Sequence, residues 1–79
     1  MEFTLIPLIV LKTGEKASVL KFDGTGAEFT RLRSLGIDVN TELTVVTSQA
    51  DKKGPMLLLV NGAKYAIDYN LASKIFVLI

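Results

Sequence analysis

Thr25-Gly26-Ala27-Glu28-Phe29-Thr30-Arg31-Leu32-Arg33-Ser34-Leu35-Gly36-Ile37 is the stretch on which the reading of this 79-residue chain turns. It is the one segment that reads as a helix. Thr25 followed three residues later by Glu28 forms a capping box. The hydroxyl accepts a hydrogen bond from an orphan N–H of the first turn, and the carboxylate reaches back to the N–H of the cap. Phe29, Leu32 and Leu35 recur at intervals of three, so they share a face that can lie on a core, while Arg31 and Arg33 point elsewhere. Gly36 supplies the left-handed residue that ends the helix, and Ile37 can fold back as the apolar contact beyond it.

Outward from this helix the chain reads as short strands. Upstream, Lys16 to Phe22 is a strand with Val19, Leu20 and Phe22 as apolar anchors. The turn Thr13-Gly14-Glu15 leads into it. Pro7 interrupts the apolar run before that turn, so the segment is expected to be an extended or single-turn lead-in. Leu8, Val10 and Leu11 would then plug one end of the core. Downstream, Glu42 to Ser48 is a strand in which Leu43, Val45 and Val46 are interleaved with Thr44 and Thr47. A polar loop, Gln49 to Pro55, precedes the buried strand Met56 to Val60. Asn61-Gly62 then calls for a type I′ hairpin, which needs positive φ at both central residues. The return strand, Ala63 to Asp68, alternates Ala63, Tyr65 and Ile67 with Lys64, Ala66 and Asp68. Asn70 is expected to cap a single turn over Leu71 to Lys74, and the chain closes on the apolar strand Ile75 to Ile79. With no repeat or linker, residues 1–79 form one domain. The expected class is mainly β: a small barrel of about five strands with one inserted α-helix. The short helical turn just before the last strand is a feature of SH3-like barrels.

Composition narrows the functions open to this chain. A domain this small buries roughly 60% of the surface its unfolded chain exposes. Its 49% hydrophobic content therefore belongs either to an aliphatic barrel core or to a surface that meets another protein. Nine basic and eight acidic residues leave a net charge of +1, which argues against a nucleic-acid binder driven by phosphate neutralisation. With no cysteine and no histidine, disulfides, thiolate sites and the commonest transition-metal ligand are all excluded. Asp23, Asp38, Asp51 and Asp68 are spread over separate turns, where aspartates ordinarily serve local backbone hydrogen bonding. No base, nucleophile and electrophile fall within a motif that would bring them together, so an enzyme is not expected, nor a bound metal or cofactor. The apolar N-terminal run is too short for a span of about 20 residues and follows Glu2 rather than a basic region. A cytoplasmic location is expected.

The order of motifs resembles one family. Thr13-Gly14-Glu15-Lys16-Ala17-Ser18-Val19 resembles the opening "pGe.a.V" of the FeoA family, accessory proteins of bacterial ferrous-iron uptake. Arg31-Leu32-Arg33-Ser34-Leu35-Gly36-Ile37 resembles its "RL..LGi" helix end, and Glu42-Leu43-Thr44-Val45-Val46 its "evtV" strand. Gly54-Pro55-Met56-Leu57-Leu58 resembles "gdPl.i". Ala66-Ile67, Ala72 and Ile75-Phe76-Val77 resemble the closing "lAl....A..I.V". The likeness runs from about Pro7 to the end. Asn40 stands where the family usually has glycine, but asparagine also tolerates the left-handed conformation. Lys52-Lys53 lengthens the loop before Gly54.

This resemblance implies an SH3-like barrel acting as a non-enzymatic cytosolic adaptor. It would dock on the cytosolic region of an FeoB-type ferrous-iron transporter, which includes a GTP-binding domain, and modulate iron uptake. The competing reading is a freestanding SH3-like regulatory domain related to the C-terminal domain of iron-dependent transcriptional repressors. The chain begins at Met1 and shows no helix-turn-helix of its own.

Having no tryptophan and two tyrosines, the chain is poorly equipped for the aromatic groove that grips polyproline. A hydrophobic pocket between the helix and the barrel is the better docking site. Arg31 and Arg33 are candidates for its charged rim, Leu32 and Leu35 for its lining, Lys52 and Lys53 for a recognition loop, and Tyr65 for a stacking partner. Each has a plain structural alternative. Arg31 and Arg33 can be solvated helix surface, with Arg31 near Glu28, and the leucines can pack in the core with Phe29. The lysines can form a solvated hairpin tip, and Tyr65 can be a packed strand residue. Met56 to Val60 and Ile75 to Ile79, apolar on both faces, are expected to offer an edge strand for pairing into a homo-oligomer.

Overall fold

The computed structural model describes residues 5–48 and 54–79. Within them the chain runs β1 (Leu5–Pro7), a 3₁₀ turn (Leu8–Val10), β2 (Lys16–Phe22), α1 (Gly26–Ser34) and β3 (Glu42–Thr47). β4 (Met56–Val60), β5 (Ala63–Ile67), α2 (Tyr69–Ala72) and β6 (Ile75–Leu78) follow. The strands form one antiparallel sheet in the order β1-β6-β2-β3-β4-β5. Six strands replace the expected five because Leu5–Pro7 pairs with β6, Leu5 opposite Leu78 and Pro7 opposite Phe76. Pro7 is tolerated there because β1 ends the row, where a missing N–H breaks no ladder bond. In the 3₁₀ turn, three residues per turn put Leu8 and Leu11 on one side. Both are buried, whereas Val10, expected to plug the core with them, is 53% exposed.

The inner face of the sheet gathers Ala17 and Val19 from β2, Leu43 and Val45 from β3, Met56, Leu58 and Val60 from β4, and Ile75 and Val77 from β6. Leu32 of α1, Ile37, and Leu71 and Ala72 of α2 close over them. The Asn61-Gly62 turn takes the conformation its sequence demands, with φ of 52° and 83°, and Asn40 is left-handed at 71°.

α1 begins and ends as its sequence requires. Thr25 Oγ1 accepts from the Glu28 N–H (3.1 Å) and Glu28 Oε1 accepts from the Thr25 N–H (3.0 Å). At the other end Gly36, at φ 86°, lets its own N–H reach the Arg33 carbonyl (2.9 Å) and the Ile37 N–H reach the Leu32 carbonyl (3.0 Å). This is a Schellman closure, with Leu32 and Ile37 both buried around it.

Three expectations are corrected. Asp68, not Asn70, caps α2: its Oδ1 accepts from the Leu71 N–H at 2.7 Å. Starting the helix at Tyr69 drops Leu71 and Ala72 into the core and leaves Asn70 exposed. β4 and β6 are interior strands, flanked by β3 and β5 and by β1 and β2, so neither can offer an edge for self-association. Among the described residues the row ends on β1 and β5. Finally, Leu20 is no core anchor but 37% exposed. β2 and β6 pair Val19 with Val77 but Lys21 with Phe76. β2 thus spends two residues where β6 advances one, and Leu20 is the extra residue of a bulge. Beyond the bulge the alternation is inverted. Phe22 lies opposite buried Ile75, and Lys21 is thrown to the outer face, its Nζ 5.2 Å from the Phe76 ring centroid.

Candidate functional site

The inverted register at the end of β2 shapes an open cleft on the surface. Phe22 comes off the sheet with its ring lying over Gly24, whose missing side chain makes the room: a Cβ there would fall 2.5 Å from Phe22 Cε2 and Cζ. The chain then turns directly into α1, capped by Thr25. Phe29, one turn into the helix, stacks on Phe22 with ring centroids 5.9 Å apart and an interplanar angle of 17°. Expected with Leu32 and Leu35 on a core face, Phe29 is half-buried instead. It lies nearer in rotation to position 33 than to Leu32, and the Arg33 guanidinium carbon sits 5.7 Å from its ring centroid.

The opposite wall is built by the loop after the helix. The Asn40 N–H donates to the Val19 carbonyl (2.7 Å) and the Val19 N–H to the Thr41 carbonyl (2.9 Å). Within this loop Thr41 Oγ1 accepts from the Asp38 N–H (2.9 Å), and Asp38 Oδ1 accepts from the Val39 N–H (2.7 Å). These bonds hold Val39 against the bulge, 45% exposed and close to Leu20. The result is an open cleft of about 350 Å³ lined by Leu20, Lys21, Phe22, Gly24, Thr25, Gly26, Phe29 and Val39. It lies between the helix and the sheet, where a docking pocket was expected, and its lining is apolar apart from Lys21 and the Thr25 hydroxyl.

Two ion pairs brace it. Arg33 Nε lies 3.3 Å from Asp38 Oδ2, linking α1 to the Val39 loop. Glu28 does not pair with Arg31; its carboxylate accepts two bonds from Lys74 Nζ, at 2.8 and 3.1 Å. That contact ties the start of α1 to the exit of α2. The Asp23 N–H, donating to the Lys74 carbonyl at 2.8 Å, adds a second tie beside it. The Lys74 ammonium, and next the Thr25 N–H, hold the Glu28 carboxyl below the usual carboxylate range.

The residues singled out from sequence are scattered. Arg33 stands at the cleft through its stack on Phe29. Arg31 is exposed on another side of α1, and Leu32, 1% exposed, belongs wholly to the core. Leu35 and Tyr65 are half-buried against that core, and neither lines the cleft. Lys52 and Lys53 lie outside the described residues. The cleft residues missed were Leu20, Phe22, Gly24 and Val39; the paired glycines on either side of the Thr25 cap were their one available signal. Among the described residues no three His, Cys, Asp or Glu side chains are grouped to hold a metal ion. No helix among them is long and apolar enough to cross a membrane.

Comparison with known proteins agrees with this architecture. A Methanocaldococcus jannaschii protein provisionally named Fe(2+) transport protein A is 36% identical over 73 residues, covering 92% of this chain and 85% of its own. The crystal structure of an iron uptake regulatory protein, FeoA, superposes with a TM-score of 0.87 at 26% identity, covering 96% of this chain and all of its own. A manganese-dependent transcriptional repressor matches with a TM-score of 0.86 over 99% of this chain but 43% of its own. At 18% identity that likeness is one of fold, and it places the chain among SH3-like barrels. The model of the FeoA domain matches residues 6–78, and the chain belongs to that family of ferrous-iron transport accessory proteins.

Proposed function

We propose that this protein is a non-enzymatic cytoplasmic adaptor that docks on the cytosolic region of an FeoB-type ferrous-iron transporter and modulates iron uptake. The observation that carries the reading is the cleft itself. Leu20 and Val39, 37% and 45% exposed, present apolar surface beside a stacked Phe22–Phe29 pair, with the Arg33 guanidinium over one ring. Buried aromatic and aliphatic groups with an arginine at the rim are the usual anatomy of a protein–protein contact. The space suits one or two large apolar side chains of a partner. Nothing in the lining offers a paired acid and base, so the site binds rather than reacts. The family's link to ferrous-iron transport supports a transporter as the partner. The repressor likeness, confined to fold, favours no second reading.

The test is titration calorimetry with the transporter's purified cytosolic region, under reducing, anaerobic conditions, with and without guanine nucleotide. The wild-type chain is expected to bind, and Val39→Asp to weaken binding at least about tenfold by placing a charge in the cleft. No binding by the wild type in either nucleotide condition overturns the partner. Undiminished binding by Val39→Asp overturns the cleft.

A further inference from the structure

We propose that a second copy of this chain pairs along β5, joining two sheets edge to edge about a two-fold axis at Ala66. β5 ends the row of strands among the described residues. Its pairing with β4 runs Val60 opposite Ala63, Leu58 opposite Tyr65 and Met56 opposite Ile67. A two-residue hairpin loop makes the flanking pair, Val60 and Ala63, exchange both backbone hydrogen bonds, and such pairs alternate along an antiparallel ladder. Ala63, Tyr65 and Ile67 therefore bond inward to β4. Lys64 and Ala66 turn their N–H and C=O outward, and both residues are exposed.

Charge selects what this edge accepts. In a two-fold antiparallel pairing centred on Lys64, the two lysines would face each other, which is unfavourable. Centred on Tyr65, each lysine faces an alanine. Centred on Ala66, each Lys64 stands opposite Asp68 of the other copy. Asp68 is exposed, and its backbone is still extended, at φ −65° and ψ 158°. The bond from the Leu71 N–H occupies its Oδ1, which leaves Oδ2 to meet an incoming ammonium. A lysine on a strand edge ordinarily blocks pairing; here it has a complement four residues on, just past the end of β5, so the edge is complementary to itself. Small Ala66 lies on the axis, where a larger side chain would meet its own copy. None of the cleft lining comes from β5, so pairing leaves both clefts open and sets them in a fixed relation.

Sedimentation velocity on the full chain, from micromolar to about 1 mM, tests this, because a short strand edge is at the small end of specific interfaces and associates reversibly. The wild type is expected to shift from monomer to dimer across that range. Ala66→Pro removes one outward N–H and no bond to β4, so it is expected to stay monomeric with its melting curve retained. Lys64→Glu sets two acids against each other at each end of the interface and is expected to weaken association at least about tenfold. A wild type that remains monomeric throughout overturns the proposal, whether or not Ala66→Pro impairs transporter binding. A dimer that survives both substitutions overturns it equally. Should Ala66→Pro fold poorly, Lys64→Glu alone decides, since Lys64 is exposed and faces outward.

Discussion

Replacing Gly24 by alanine separates the cleft from the fold that carries it. The new Cβ would fall 2.5 Å from Phe22 Cε2 and Cζ and 2.9 Å from Glu28 Oε1. Carbon atoms in contact sit about 3.5–4.0 Å apart, so the far edge of the Phe22 ring must retreat by roughly 1 Å. The backbone has little freedom to yield instead. The Asp23 N–H is bonded to the Lys74 carbonyl at 2.8 Å, and Glu28 is fixed by Lys74 on one side and the Thr25 N–H on the other. The ring is therefore expected to swing into the cleft and off Phe29. Losing that stack forfeits about 0.5–1.5 kcal/mol. Gly24 is not among the positive-φ residues, so alanine also narrows the unfolded ensemble, returning about 0.4–1 kcal/mol. The two nearly cancel. The melting temperature should move by no more than about 4–8 °C, the shift that 1 kcal/mol produces in a domain of this size. The aromatic proton resonances of Phe22 and Phe29 should shift strongly as the mutual ring current is lost, and transporter binding should fall. Unmoved ring resonances would refute the argument. So would a loss beyond about 3 kcal/mol, because Gly24 would then be serving the core rather than the cleft.

Two further substitutions test the helix that walls the site. Leu32→Ala empties a fully buried position beneath the Schellman closure and should lower the urea unfolding free energy by about 2–5 kcal/mol. Set against roughly 4–12 kcal/mol for a 79-residue domain, this should unfold a measurable fraction at rest; a loss under about 1 kcal/mol would mean that the site collapses to fill itself. For Glu28→Gln the signature is pH dependence. The folded state lowers the Glu28 pKa, so the stabilisation is complete above the unfolded carboxylate value of about 4.3 and disappears as pH falls through the lower folded value. The difference in melting temperature between wild type and Glu28→Gln should hold steady from about pH 7 to pH 5 and close below about pH 4; a difference unchanged down to about pH 2 would remove the Lys74 contact as its cause.

What could be read from the chain was what nearest neighbours decide. The Thr25–Glu28 box, the Gly36 stop and the Asn61-Gly62 turn each involve residues within a few positions of one another. Their backbone conformations have few alternatives, and all three form as expected. Where a choice rested on what lies across the sheet, sequence was a weaker guide. Asp68 and Asn70 are both competent caps, and the burial of Leu71 and Ala72 decides between them. The apolar runs of β4 and β6 suit an interior strand and a sticky edge equally well. Only the strand order, with β1 and β5 outermost, separates the two.

The cleft was hidden for a related reason. Its lining is drawn from the same apolar vocabulary as the core, so no residue type marks it. Leu20 and Phe22 are two residues apart in one strand, and by alternation both would point to the outer face, away from buried Val19. What alternation alone does not convey is that a bulge at Leu20 inverts the faces beyond it. That inversion delivers Phe22 to Phe29 rather than to solvent, and it strands Leu20 at the mouth beside Val39. The pattern therefore points to the extra residue as the origin of the site. Were Leu20 instead paired regularly with Phe76, Lys21 would take the inward position opposite Ile75 while the aromatic pair came apart. Arg33 then follows as the recognisable rim residue because it stacks on Phe29. Arg31, two positions away and equally charged, has no such contact at the cleft.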